Sequence, residues 1–410
     1  MEPPCQSFEK NIKSIDSLIK KMPIIKSDEI PLSLYVHLPW CEKKCPYCDF
    51  NSHTLYHESF FEEYINLLIL ELETWSLVFI KRGISTIYFG GGTPNLFPLV
   101  LIKKLLEKVT KYLKAENDTE ITFEMNPGNS ELANTSRYYL NGLKKCGVNR
   151  ISVGVQSFNN ECLEAIGRTH DSKDIYTFLN ELFDVFSNVN IDLMFGLPGQ
   201  TRKMLESDLN SLSNFSPAHI SYYQLTIEPN TLFYTKRPKL PSEETIWRMQ
   251  ELIKNFLIFD YRKYEISAYK KNNFSCCHNL NYWRFGDYIG IGAGAHSKIS
   301  RLGLVERRIN ISNPELYMQK MRLKNETHYN VKMPAGEELL FEYILNITRL
   351  REGFLKSDFE IRTGLKFNNY EAKFISAIER GLLKQCETRF YPTELGFNYL
   401  TDLQSLFLPK

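Results

Sequence analysis

With 410 residues, 43% hydrophobic and 13% aromatic, the chain has the apolar material for a large core, and its length suits one big domain with a smaller one attached. Fifty basic against 48 acidic side chains leave a formal charge of +2, which excludes a global field drawing the protein to nucleic acid or an anionic membrane. No apolar run reaches the roughly 18 residues of a bilayer span; with no secretory signal and no Arg-bearing presequence, the chain is expected to be soluble and cytoplasmic.

Residues 1–30 read as a helical arm or disordered lead, in which Cys5 has no assigned role. From Leu32 to about Leu225, β-rich runs alternate with helical stretches in six units. The strands are expected at 32–38, 85–91, 120–126, 150–156, 189–195 and 219–225. Between them lie helical segments such as SFFEEYINLLILELETW and PLVLIKKLLEKVTKYL. Six units fall short of a closed eightfold barrel, so the fold class is α/β, a partial (β/α)6 TIM-like barrel over 31–235. Ligands in such a barrel gather at the carboxyl ends of the strands, where Gly90 to Thr93, Glu124, Gln156 and Asp192 fall. A barrel extension over 236–333 carries a helix around TIWRMQELIKNFLIF, the run YEISAY and a Gly-rich segment from Cys276 to His296. Residues 334–410 read as two or three helices and a β-like tail, RFYPTELGFNYL, forming a small, mainly helical, winged-helix-like domain. Cys146, Cys162 and Cys386 are expected to be small core residues.

Three of the nine cysteines, Cys41, Cys45 and Cys48, follow the first strand in HLPWCEKKCPYCDFNSH, as C-x3-C-x2-C. The others scatter, which is cofactor spacing in a reducing compartment rather than a disulfide framework. Three thiolates on one loop can hold three irons of a cubane and leave the fourth iron open. The rival is a zinc loop completed by His37 or His53, although zinc normally takes four ligands in two separated pairs. At the end of the second strand, YFGGGTPNLF lets a ligand approach bare backbone N–H groups. A phosphate loop is the weaker reading there, because no Lys-Ser or Lys-Thr follows.

The cysteine spacing with Tyr47 before the last cysteine, followed by GGGTP, resembles the radical S-adenosylmethionine (SAM) superfamily. The runs EMNPG, GVNRISVGVQSFN and IDLMFGLPGQT, with a lone Arg168, are similar to the oxygen-independent coproporphyrinogen oxidase group, from residue 31 onward. The resemblance implies a [4Fe–4S] cluster on Cys41, Cys45 and Cys48 and SAM bound at the open iron by its amino and carboxylate groups. It implies an electron donor as well, since one-electron reduction cleaves SAM to methionine and a 5′-deoxyadenosyl radical. Tyr35, Gly91 and Glu124 would contact the cluster-bound SAM. Tyr47, Gly92, Thr93, Gln156, Arg168 and Asp192 would line a second SAM or substrate position; for Asp192 a turn cap and for Glu124 a lysine pair are the plainer alternatives.

That group divides into decarboxylating oxidases and heme chaperones. The oxidases continue the cluster motif to a further cysteine two residues on, where this chain has Phe50. The segment HNLNYW, from His278 to Trp283, has all the fixed residues of the H-N-x-x-Y-W associated with heme binding in the chaperone branch. The resemblance therefore implies a heme chaperone, with His278 as heme ligand and Tyr282 and Trp283 as flat apolar surface. Alternatively, His278 and Asn279 hydrogen-bond a turn while the aromatics pack in the core. The cargo would pass to a heme-acceptor protein, membrane-bound respiratory proteins being candidates. Decarboxylation of coproporphyrinogen III to protoporphyrinogen IX is the second reading. Nucleic acid is not expected as a partner: the tail helix YEAKFISAIERGLL offers only Lys373 and Arg380 as basic residues.

Overall fold

Along each of the six expected strands an apolar side chain alternates with a polar or small one, and this two-residue period sorts the two faces of the sheet. The computed structural model describes residues 29–55, 57–79, 82–113, 115–128, 134–301, 303–323 and 328–409; most of the arm expected over 1–30 lies outside the described residues. In it β1 (Leu32–Leu38), β2 (Ile84–Gly91), β3 (Ala115–Met125), β4 (Arg150–Gln156), β5 (Val189–Phe195) and β6 (His219–Gln224) lie side by side in chain order, all parallel. Leu34, Val36, Ile87, Phe89, Phe123, Val153, Ile191 and Ile220 pack into one core with the crossover helices. These are α1 (Phe60–Phe79), α2 (Leu99–Leu113), α3 (Arg137–Lys145), the pair α4 (Asn160–Ala165) and α5 (Ser172–Val185), and α6 (Arg202–Phe215). Side-chain caps start several of them: Ser136 accepts from Tyr139 N, and Asp171 forms a reciprocal box with Asp174.

The opposite face lines the barrel, and its polar groups bond across the strands. Thr86 Oγ1 donates to Ser33 Oγ (2.7 Å), Ser152 Oγ to Asp192 Oδ2 (3.1 Å) and Asn190 Nδ2 to Ser152 Oγ (2.7 Å), while His219 Nδ1 bonds Asn190 Oδ1 (2.6 Å).

After α7 (Leu232–Thr235) and α8 (Glu243–Leu257), the extension builds on both edges of this sheet rather than following it as an appendage. β7 (Arg262–Lys263) and β8 (Ala268–Lys270) join the β6 edge antiparallel. The chain then forms the short helix α9 (Cys277–Trp283) and returns as β9 (Asp287–Ile291), parallel to β1. β10 (His296–Arg301), β11 (Leu304–Asn310) and β12 (Tyr329–Lys332) continue antiparallel, with α10 (Pro314–Arg322) between the last two, to complete a 12-stranded sheet. Edge pairing between segments this far apart in sequence leaves no local pattern to read.

α9 plugs the barrel at the amino-terminal ends of its strands. Glu120, in β3, accepts the Cys277 and His278 backbone N–H groups at 2.9 and 3.0 Å, and Asn281 Nδ2 donates to Ser33 Oγ at 2.8 Å. Gly286, just beyond the helix, has no room for a side chain, since a Cβ there would lie 1.7 Å from Asn281 Oδ1.

A second core, with Tyr343, Phe354, Phe359, Phe374 and Phe390 at its centre, belongs to the C-terminal domain and takes in Leu280 of α9 and Phe285. Here α11 (Gly336–Ile347), α12 (Lys356–Thr363) and α13 (Glu371–Glu379) pack with a small sheet of β13 (Phe354–Leu355), β15 (Arg389–Pro392) and β14 (Leu383–Cys386). The tail expected to be β-like is a strand only over Arg389–Pro392; Thr393 then caps α14 (Glu394–Asn398), which α15 (Leu400–Ser405) follows. Cys162 is buried and Cys146 half-buried, but Cys386 is exposed on the hairpin, not in the core. Among the described residues no helix is long and apolar enough to cross a membrane.

Removing the Glu120 carboxylate should loosen the plug: Glu120→Ala is expected to lower unfolding stability by about 1–3 kcal/mol in urea titrations, with Glu120→Gln, which keeps one acceptor, closer to wild type.

Candidate functional site

The cysteine loop leaves β1 through Pro39 and closes on itself, Trp40 and Cys41 pairing in parallel with His53 and Thr54. Cys48 N donates to Cys45 O (3.1 Å), a tight turn that brings the last two thiols to the same side of the loop. All three cysteines are half-buried and line a cavity of about 340 Å³ at the carboxyl ends of the strands. Burial pushes the Cys41 thiol up to about 11, so loading a metal there displaces a proton. Among the described residues no three His, Cys, Asp or Glu side chains gather around a single ion. The two imidazoles of the zinc alternative are turned elsewhere: His37 bonds Tyr35 Oη (2.9 Å) and Asn51 O (2.8 Å), and His53 bonds Asn51 Oδ1 (3.0 Å). Three thiols without a fourth ligand fit a cubane that keeps one iron open.

The glycine turn abuts this loop. Gly92 N donates to Leu38 O and Thr93 N to Trp40 O, both at 2.8 Å. A Cβ on Gly92 would stand 2.4 Å from Trp40 O, and Gly91 has φ +115°, so the turn demands glycine at both positions. Gly91 N donates to Glu124 Oε2 (3.2 Å) and Tyr88 Oη to Glu124 Oε1 (2.7 Å). Among the described residues no lysine pairs with Glu124. Burial raises its carboxyl from 4.5 to about 7, with Asp192 adding to the effect.

Arg168 ties the cysteine loop to the barrel wall: Nη1 reaches Cys45 Sγ (3.7 Å), while Nη2 donates to Asn126 Oδ1 (2.7 Å) and Gly154 O (2.9 Å). Its Nε is buried without a partner, and the Tyr47 ring hydroxyl lies close to the same guanidinium. Asn126 Nδ2 donates to Thr93 Oγ1 (3.0 Å), joining the glycine turn to the same network. Gln156 sits at a bulge in β4 with φ +70°, a conformation costing a non-glycine residue about 1–3 kcal/mol, and its Oε1 accepts from Tyr223 Oη (3.1 Å). Asp192 lies in mid-strand and caps no turn; it accepts from Ser152 and Asn190, and burial raises its carboxyl.

This first cavity therefore brings together Cys41, Cys45, Cys48, Tyr47, Gly91, Gly92, Thr93, Glu124, Gln156, Arg168 and Asp192. Tyr35 is not among them. It lines a second cavity, of about 580 Å³, which shares Asp49, Phe50, Gly91 and Glu124 with the first.

The HNLNYW motif is divided. His278 is 1% exposed, with Nδ1 bonded to Thr86 Oγ1 (2.8 Å) and Nε2 to Tyr282 Oη (2.9 Å), and burial takes its pKa down to about 3. Heme ligation by His278 does not fit this arrangement, since both ring nitrogens are committed inside the barrel. Tyr282 and Trp283, one turn on, do face the second cavity. Sequence reasoning assigned no role to Asn126, Tyr88 or Asn51. Asn126 stands in the quoted EMNPG run and was within reach; the other two act through contacts distant in sequence.

The Radical SAM superfamily matches residues 35–212, and the HemN C-terminal domain matches residues 335–398. By its fold, its cysteine loop and this match, the chain is a member of the radical SAM superfamily. The heme chaperone HemW of Buchnera aphidicola subsp. Schizaphis graminum is 42% identical over 382 residues, covering 92% of this chain and 98% of the relative. That of Escherichia coli K12 is 39% identical over 383 residues, covering 93% and 99%. Within the superfamily, the chain belongs to the HemW family. The coproporphyrinogen III oxidase HemN from E. coli shares the fold, with a TM-score of 0.78 at 22% identity, over 96% of this chain and 93% of that one.

Two outcomes are expected. Gly92→Ala should reduce iron bound after anaerobic reconstitution, measured by iron and sulfide assay, because the new methyl pushes Trp40, and the cysteine loop with it, away from the glycine turn. Glu124 is protonated in the folded state up to about pH 7. Its contribution to stability is therefore present at low pH and lost as pH rises from the unfolded value through the folded one. Wild type should lose urea stability relative to Glu124→Gln between about pH 5 and about pH 8; parallel profiles would place the carboxyl in its ordinary range.

Proposed function

We propose that this chain binds heme and hands it to an acceptor protein, while Cys41, Cys45 and Cys48 hold a [4Fe–4S] cluster with SAM at the open iron. The observation that carries this reading is the pair of adjoining cavities that share Asp49, Phe50, Gly91 and Glu124, one lined by the three thiols and the other by Tyr282, Trp283 and Tyr288. The family relatives named heme chaperones support it. Phe50, where the oxidases continue to a further cysteine, offers no ligand but an exposed flat ring on the wall common to both cavities.

Held by Cys41, Cys45 and Cys48, the cluster would supply the electron for SAM cleavage and a Lewis-acid site for the amino and carboxylate groups of SAM. The chain's own residues provide the setting. Glu124, oriented by Tyr88 and Gly91, meets the SAM amine and ionises on doing so. Gly91 and Gly92 keep the turn free of side chains, and Tyr35 steadies the His37 ring beside it. Arg168 holds Cys45 against Asn126 and Gly154. Tyr47, Thr93, Gln156 and Asp192 line the remainder, where a second SAM or a substrate group would lie. Heme enters as cargo. An electron donor, an acceptor such as a membrane-bound respiratory protein, and a cytoplasmic site of action complete the proposal; nucleic acid has no part in it.

The oxidase remains the second reading, favoured by the shared fold and by a first cavity that keeps the residues of both SAM positions. An anaerobic heme titration of the reconstituted protein, with an oxidase assay on the same sample, separates the two. Saturable heme binding with no protoporphyrinogen formed is expected; turnover of coproporphyrinogen without saturable heme binding would make the chain an oxidase. Cys48→Ala should lose the broad visible absorbance of the cluster while heme binding persists.

A further inference from the structure

The heme-chaperone reading needs an axial iron ligand, and most of the chain's imidazoles are spent. His278 and His219 are buried with both ring nitrogens hydrogen-bonded, His219 to Asn190 and Tyr264. His37 lines the second cavity but is held by Tyr35 and Asn51. His53 is bonded to Asn51, and His170 is buried. His296 differs: it lines the second cavity, its side chain is exposed there, and no hydrogen bond among the described residues engages its ring.

Resting on the heme-binding reading, we propose that the second cavity is the heme seat and that His296 is the axial ligand to the iron. At about 580 Å³ the cavity lies within the range of sites for ligands of this size. Phe50, Trp283 and Tyr288 give it flat apolar walls for a macrocycle. Arg307 also lines it; its charge is paired with Glu342 through Nε and Nη2 and its Nη1 bonds Tyr288, so what it offers a heme carboxylate is the two remaining guanidinium N–H groups. The other wall cation, Lys298, is buried and paired with Asp287, so it serves the fold. Burial and Arg307 hold the His296 imidazole below its ordinary pKa of 6.5; the neutral ring keeps a lone pair for iron at neutral pH.

The seat is fixed to the cluster loop. Asn51, three residues after Cys48, donates from Nδ2 to Ala293 O and Ser312 O, both at 2.9 Å. Gly294, which lies against it with φ +72°, admits no side chain, a Cβ there standing 2.2 Å from Asn51 Nδ2. The turn that presents His296 is therefore set by the same loop that presents the thiols.

The test uses the full-length, anaerobically reconstituted protein titrated with hemin and followed by absorbance and electron paramagnetic resonance. His296→Gly should weaken hemin binding by more than about tenfold and abolish the imidazole-ligated spectrum. Added free imidazole should restore that spectrum in the variant, which a folding defect would not allow, and His296→Met should give a thioether-ligated one. A His296→Gly protein with wild-type affinity and spectrum would overturn the assignment while leaving the heme-chaperone reading intact. Absence of saturable hemin binding by wild type would overturn that reading, and this inference with it.

Discussion

Everything in this fold answers to the polar lining of an open barrel. Each inward hydroxyl, amide, imidazole and carboxylate costs roughly 1–3 kcal/mol if it is buried without a partner, and β1 to β6 carry one at nearly every second position. The partners come from neighbouring strands and from α9, whose His278, Asn281 and backbone N–H groups meet Thr86, Ser33 and Glu120. A purely apolar interior would close the barrel more cheaply. It would also have nowhere to bind a charged amino acid.

The two ends of the lining do different work. Towards the amino-terminal ends of the strands most of the network bonds to itself and holds the helix, with Thr122 Oγ1 and Arg150 Nε left over. Towards the carboxyl ends it opens into groups held by one or two bonds and facing a cavity, such as Glu124 and Gln156. Strain accumulates there too, in the positive φ of Gln156 and the packed glycines of the turn. That gradient from satisfied to available groups is what separates a structural interior from a binding site within one set of strands.

Sequence reasoning reached the parts whose cause is local. Strands at 32–38, 150–156 and 189–195 were placed to the residue, because alternation and flanking turns define them. The cysteine loop and glycine turn were legible for the same reason. β3 begins at Ala115, earlier than the polar AENDT run suggests, because Ala115 pairs with Ile84 across a bulge. The two-edged extension was invisible, since β8 and β9 take partners from the far ends of the barrel. The HNLNYW motif shows the limit most clearly. Its composition suggested one heme-binding unit, yet His278 spends its ring on Thr86 and Tyr282 while only Tyr282 and Trp283 reach the second cavity, and the partners Thr86 and Glu120, far away in sequence, decide that division.

The plug formed by α9 also has a kinetic meaning. With the helix across the amino-terminal ends of the strands, an occupant of the first cavity comes and goes at their carboxyl ends, past the cysteine loop. The second cavity runs from Phe50 to Trp283 of that same helix, so its occupant rests against the plug itself. Fraying of the helix would thus take a wall from the second cavity before it touched the first, and exchange at the two would answer to different motions.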